Sequence, residues 1–248
     1  MFTTRGRLRI VATLAVALVA GCAPATARPS PTAAPPSPSA TLRPLPTLVP
    51  VEAKSLTKVI YLTFDDGPNP VWTPAILSLL EEAGAHASFF VIGENAARWP
   101  LLVRQEAADG DTVGDHTWTH PDLNDLAASA VDAELATDKS LIAELTGVTP
   151  TLWRPPYEDF NPSVVEIASR LGMKMQLWSN TTGDWQLPGT EVIVSRVMSA
   201  LHNGMVVLLH DGGGYTRAET VAAVAILIPE LEAAGYRIAA LPPQGMGW

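Results

Sequence analysis

Two adjacent carboxylates, Asp65 and Asp66, end an apolar run in "KVIYLTFDDGPNP", Lys58 to Pro70. Further along, "GDHTWTH" places His116 and His120 four residues apart. On a helical turn that spacing puts two imidazoles on one face, where they can grip a divalent metal. An aspartate at the end of another strand would add an oxygen ligand. Two nitrogens and one carboxylate oxygen leave an open position for water or substrate, as a catalytic metal site requires. Neighbouring residues leaving a strand point in different directions, so the two carboxylates can divide the work. One binds metal while the other stays free as a general base, and the cation relieves their like-charge cost. Each pair also has a plainer reading taken alone: Asp, Gly and Pro build solvated turns, and two histidines can be surface or core residues.

The elements that would position these groups are legible as seven short apolar runs: 59–64, 87–92, 111–115, 151–154, 173–178, 205–210 and 236–241. Helical patterns lie between them at 73–84, 124–147, 162–172, 190–204 and 218–235, most closing on Gly or Asn-Gly. Thr73 is the candidate cap of the first. Strand–helix alternation predicts parallel strands with helices outside, and seven units suit a barrel, complete or incomplete, whose site sits at the C-terminal strand ends. The polar motifs "TFDDGP", "GDHTWTH", "RPPYEDF", "SNTTGDW" and "HDGGG" each follow a run.

Five of these stretches, "TFDDGP" (63–68), "HTWTH" (116–120), "RPPY" (154–157), "DW" (184–185) and "LLHD" (208–211), occur in the order and context of the polysaccharide deacetylase family, the carbohydrate esterase family 4 group, which the chain resembles over nearly all of 58–241. The resemblance implies an α/β fold, a distorted seven-stranded (β/α) barrel with parallel strands and outer helices, and metal-dependent removal of acetyl groups from N-acetyl sugars or O-acetylated glycans. It implies Asp66, His116 and His120 as metal ligands, Asp65 as the base activating metal-bound water, and Arg154 as its holder. It further implies His210 as the acid protonating the leaving amine, Asp184 as the carboxylate orienting that histidine, Trp185 and Leu208 as walls of an acetyl pocket, and the Tyr157 N–H as an oxyanion donor. The donor set suits zinc, with cobalt, nickel or manganese as alternatives. Amide hydrolysis needs these functions: a nucleophile, oxyanion stabilisation, and a base and acid with separated pKa values.

Two positions depart from the family pattern. Glu158 follows Pro156-Tyr157 where glycine is usual, which questions the loop geometry and adds a carboxylate near the groove. Thr181 stands where an acidic residue often precedes the "DW" aspartate. His86 and His202 carry no motif and read as surface residues or structural bonds. Most tryptophans read as packing, with Trp118 the best candidate for stacking on a sugar.

Residues 1–22 have the layout of a secretory signal: Arg5, Arg7 and Arg9, a short apolar run, then Val19-Ala20-Gly21-Cys22. This resembles a lipobox that would lipidate Cys22, the chain's only cysteine; an ordinary signal peptide with an incidental cysteine is the alternative. Residues 23–53 are rich in Pro, Ala, Ser and Thr and read as a disordered spacer. Residues 54–248 then form one domain without internal repeat. From Glu52 onward, 11 basic residues face all 25 acidic ones, a net −14, which argues against nucleic acid or an anionic membrane surface as partners. The expectation is a monomeric, lipid-anchored, extracytoplasmic N-deacetylase facing the cell wall, with peptidoglycan or a chitin-like glycan as substrate. The alternatives are an O-acetyl esterase on xylan, a non-catalytic glycan-binding lipoprotein, and an amidohydrolase of small cyclic amides.

Overall fold

The computed structural model describes residues 58–246. The signal peptide (1–22), Cys22, the spacer (23–53) and both extreme ends of the 54–248 domain lie outside the described residues. No described helix is long and apolar enough to cross a membrane.

All strands are parallel. The chain runs β1 (Lys58–Gly67), α1 (Trp72–Ala83), β2 (Ser88–Val91), α2 (Gly93–Arg98), α3 (Pro100–Ala108), β3 (Thr112–Asp115), α4 (Ala128–Thr146), β4 (Leu152–Trp153), α5 (Pro162–Arg170), β5 (Lys174–Met175), β6 (Asn180–Thr181), α6 (Thr190–Ser199), β7 (Met205–His210), α7 (Ala218–Ala233) and β8 (Tyr236–Ile238). The order across the sheet is β5-β4-β3-β2-β1-β7-β6, and β8 pairs with the first residues of β1. The sheet curls into a distorted (β/α) barrel open between β5 and β6. Of the run predicted at 173–178 only Lys174–Met175 forms a strand, β5, which pairs with β4; β6 lies beyond the run, was not predicted, and pairs with β7.

Alternation along the strands decides what faces where. Ile60, Leu62 and Phe64 of β1 are fully buried and belong to one core with Ile76 and Leu80 of α1 and Leu227 of α7. Phe64 stacks on Phe89 of β2, with ring centroids 5.2 Å apart. The intervening residues Tyr61, Thr63 and Asp65 face the barrel interior, beside Val206, Leu208 and His210 of β7 in paired register. A smaller interior core joins Phe90, Leu152, Val206 and Leu241.

Several expectations are corrected. Thr73 does not cap α1: Asn69 accepts the Val71 and Trp72 N–H groups, while the Thr73 hydroxyl donates to the buried Asp211 carboxylate. The helix expected at 124–147 begins only at Ala128, because Asp122 caps a separate 3-10 turn at 123–125. The sequence reading also missed α2 and α3.

Candidate active site

The carboxylate pair is built by an interruption of β1. Strand alternation alone would send Asp66 to the face opposite Asp65. The register against β2 slips between Asp65 and Gly67, and Asp66 takes a left-handed φ of 71°. A bulge of this kind re-aims a side chain at a strand end, and both carboxylates line one cavity of about 530 Å³. The Asn95 amide of α2 donates to the Asp66 carbonyl at 2.9 Å. Close approach at this corner demands glycine: a Cβ on Gly212 would lie 1.9 Å from the Asp66 carbonyl oxygen.

His116 and His120 do share a site, but on a loop rather than a helical turn. Thr117 (φ 69°) and His120 (φ 60°) are left-handed, so the chain coils tightly enough to bring the rings to 4.8 Å. Three carboxylates fix that backbone. Asp138 of α4 accepts the His116 N–H at 3.2 Å, Asp115 accepts the Thr117 N–H at 2.8 Å, and Glu134, one turn before Asp138, accepts both the N–H and hydroxyl of Thr119 at 2.7 and 2.8 Å. The first N–H groups of α2, at Gly93 and Glu94, donate to the Thr117 and Trp118 carbonyls. Burial and the charge of Asp115 push the Asp138 carboxyl well above the carboxylate range.

The Asp66, His116 and His120 ligand atoms lie within 4.8 Å of one another. The Nε2 atoms of His116 and His120 are 3.5 and 3.2 Å from Asp66 Oδ1. That oxygen is buried without a hydrogen-bond partner among the described residues. His116 Nδ1–H donates to the Arg154 carbonyl at 2.8 Å, which orients the ring with Nε2 toward Asp66. These features fit a divalent cation. Burial acts to raise the Asp66 pKa, yet His116, His210 and His120 hold it far below the carboxylate range.

Asp65 is 3 % exposed, and Arg154 Nη1 donates to its Oδ1 at 2.6 Å. Arg154 is fully buried and donates also to Thr63 Oγ1 and the Gln176 carbonyl, both at 2.9 Å. Its guanidinium lies over the Phe90 ring at 4.0 Å and near Trp178 at 5.4 Å. Opposite Asp65 in the β1–β7 register stands His210. Its Nδ1–H donates to Asp184 Oδ1 at 2.8 Å, and its backbone N–H to Asp184 Oδ2 at 2.8 Å. Thr220 also donates to Asp184 Oδ2, at 2.9 Å. Burial alone would lower the His210 pKa; the bond to Asp184 and that carboxylate's charge, with Asp65 and Asp66 beyond, raise it.

The remaining candidates fall around the same cavity. The Trp185 ring meets His210 edge-on at 5.4 Å, and Leu208 lines the wall. The Tyr157 ring packs edge-on against His120 at 4.7 Å, and its backbone N–H has no acceptor among the described residues. Glu158 and Thr181 also line the cavity. Glu158 adopts the left-handed backbone that glycine would favour, with φ 59°, so the loop keeps its course without one. Trp118 is not at the cavity; it packs over Gly93, and Trp178 lines the wall instead. His86 and His202 are exposed, as expected; His86 Nδ1 lies 4.0 Å from Asp111 Oδ1, and His202 Nδ1 bonds the Ala200 carbonyl. Sequence reasoning assigned no role to Thr63, Thr220, Asn95, Glu134 or Asp138, whose signal exists only once distant elements meet.

A family model described as polysaccharide deacetylase matches residues 52–176. A chitooligosaccharide deacetylase of Bradyrhizobium sp. (strain ANU 289) is 38% identical over 197 residues, covering 75% of this chain and 90% of that one. A peptidoglycan-N-acetylglucosamine deacetylase of Bacillus cereus is 38% identical over 188 residues, covering 75% and 87%. Among solved structures, a family 4 carbohydrate esterase from Streptomyces lividans in complex with acetate superposes with a TM-score of 0.71 at 33% identity, covering 77% of this chain and 96% of that one.

Proposed function

This chain belongs to the polysaccharide deacetylase family, and from that premise we propose that it hydrolyses the acetamide of N-acetylated sugars in peptidoglycan or a chitin-like glycan, releasing acetate and leaving an amine. The observation that carries the reading is the pairing of Asp65 with His210 at the ends of neighbouring strands, beside the Asp66–His116–His120 cluster.

Asp65 acts as general base. Arg154 occupies Oδ1, leaving Oδ2 toward the metal-site histidines to take a proton from the attacking water. His210 acts as general acid: Asp184 fixes its tautomer and raises its pKa, so the imidazolium is present to protonate the departing amine. The unpartnered Tyr157 N–H donates to the oxyanion, an interaction worth about 3–4 kcal/mol in the transition state. Trp185 and Leu208 enclose the acetyl methyl group. Asp66, His116 and His120 would hold one divalent metal, most suitably zinc, which supplies carbonyl polarisation and a more acidic water.

Acetate release by the purified protein tests this, after chelation and after zinc repletion, on peptidoglycan, chito-oligosaccharides and acetylated xylan. Metal-dependent release from the amides, lost in Asp65→Asn, is expected. Release from xylan alone would make the chain an ester hydrolase. No release with no metal bound would make it a glycan-binding protein.

We further propose that Cys22 is lipidated, which holds the domain outside the cytoplasm against the wall. Cys22→Ser should move the protein from the membrane fraction to the medium. Deleting the protein should raise acetylation of wall glucosamine or muramic acid; unchanged acetylation would remove peptidoglycan as the substrate.

A further inference from the structure

Glu158 sits at the mouth of the cavity in a conformation that a glutamate adopts at a cost. Its φ is 59°, and Tyr157 before it has the same φ, so two consecutive non-glycine residues are left-handed. Glycine meets that requirement without the clash between Cβ and the carbonyl. Strained residues persist where the surroundings and the function over-determine them.

The glutamate's structural contacts do not account for it. The Glu158 N–H donates to Pro155, closing the turn, and any residue's backbone would do the same. The side chain is exposed and forms no hydrogen bond or ion pair among the described residues. The carboxylate is therefore a free negative charge lining the cavity that holds Asp65, Asp66 and His210. No lysine or arginine is among the lining residues. Arg154, beneath the floor, is fully buried and engaged by Asp65.

The proposed reaction turns a neutral acetamide into an amine, which is protonated in mildly acidic solution. A glycan that has reacted once therefore carries a cation beside its remaining acetamides. Resting on the deacetylase reading above, we propose that Glu158 makes the enzyme prefer glycans with a free amino sugar next to the acetylated unit under attack. Each turnover would then favour the next on the same chain, and a neighbour bearing a carboxylate would be disfavoured.

The test compares kcat/KM for fully N-acetylated chitopentaose with mixed pentasaccharides carrying one glucosamine on either side of an acetylated unit, at about pH 6, for the zinc-loaded protein. A lone exposed ion pair is worth about a two- to fivefold preference at low salt, so the wild type should favour one mixed isomer by that factor. The preference should shrink toward unity as salt shortens the screening length. Glu158→Gln should bring the ratio to about one, and Glu158→Asp should keep most of it. A wild-type ratio at or below one, or a ratio unchanged in Glu158→Gln or by salt, overturns the proposal. Acetate release that lacks the preference leaves the deacetylase reading standing, whereas no release from any of the sugars removes both.

Discussion

The two groups proposed to transfer protons, Asp65 and His210, stand on neighbouring strands and have different partners. A neutral, buried imidazole would be the default for His210, since burial disfavours charge. Asp184 reverses that, accepting both the ring Nδ1–H and the backbone N–H. An acid must be protonated to act, so kcat should fall as pH rises through the elevated His210 pKa. Asp184→Asn removes the charge that raises it. The falling limb should then move to lower pH, and kcat should drop about a hundredfold or more; a pH–rate profile reads both, and an unmoved limb would assign it to another group. Arg154 carries the other half of the pair. Arg154→Met would leave Asp65 buried opposite no cation and remove the bonds to Thr63 and Gln176. Breaking a buried pair from one side costs about 3–5 kcal/mol, so chemical denaturation should register a loss of that size alongside lost activity. Retained stability would mean that the guanidinium is not holding the carboxylate.

At the scale of elements, the histidine loop shows what the sequence reveals and what it hides. The spacing of His116 and His120 pointed to a shared ligand set, but helical periodicity was the wrong device. Left-handed residues at Thr117 and His120 do the turning, and α2 and α4 pin the result. No local pattern announces that Glu134 and Asp138, four apart on α4, will accept hydrogen bonds from a loop at 116–119. The apolar run of β7 was readable at its full length and that of β1 over 59–64 of its ten residues, because a central strand buries both faces. The two-residue strands β4, β5 and β6 gave weaker signals: the run at 173–178 overshoots β5, and β6 lies in the polar stretch that follows it. Asp65 and Asp66 were legible as a pair with two roles, whereas the bulge that makes both roles possible was not. The α4 contacts carry their own test. Glu134→Ala releases only the Thr119 N–H and hydroxyl, at the loop's surface, and should leave the melting temperature nearly unchanged. Zinc affinity, measured by chelator competition, should fall about tenfold, as when outer-shell support of a metal site is lost, and Glu134→Gln should restore part of it. Equal affinity in all three proteins would reduce Glu134 to a surface contact.

Across the whole molecule, the site is the place where the fold works against its own charge. The domain is acidic, yet its barrel mouth gathers Asp65 and Asp66, with Arg154 as the buried counter-charge of Asp65. Asp66 comes from the end of β1, while His116 and His120 follow β3. The three groups meet only when the sheet has assembled, so a metal held by them would bind the folded chain and not the unfolded one. Linkage then makes metal binding a contribution to folding: at a hundred times Kd it adds about 2.7 kcal/mol. For a domain of this size each kcal/mol moves the melting temperature by about 2–4 °C. Chelation should therefore lower it by about 5–10 °C, and added zinc should restore it. Asp66→Ala removes the proposed ligand whose Oδ1 has no hydrogen-bond partner among the described residues, so its melting temperature should no longer respond to zinc, even though losing one of two crowded carboxylates relieves repulsion in the metal-free protein. A wild-type melting temperature indifferent to chelation would mean that these three residues do not hold a metal. A zinc response that survives in Asp66→Ala would place the ion on other groups.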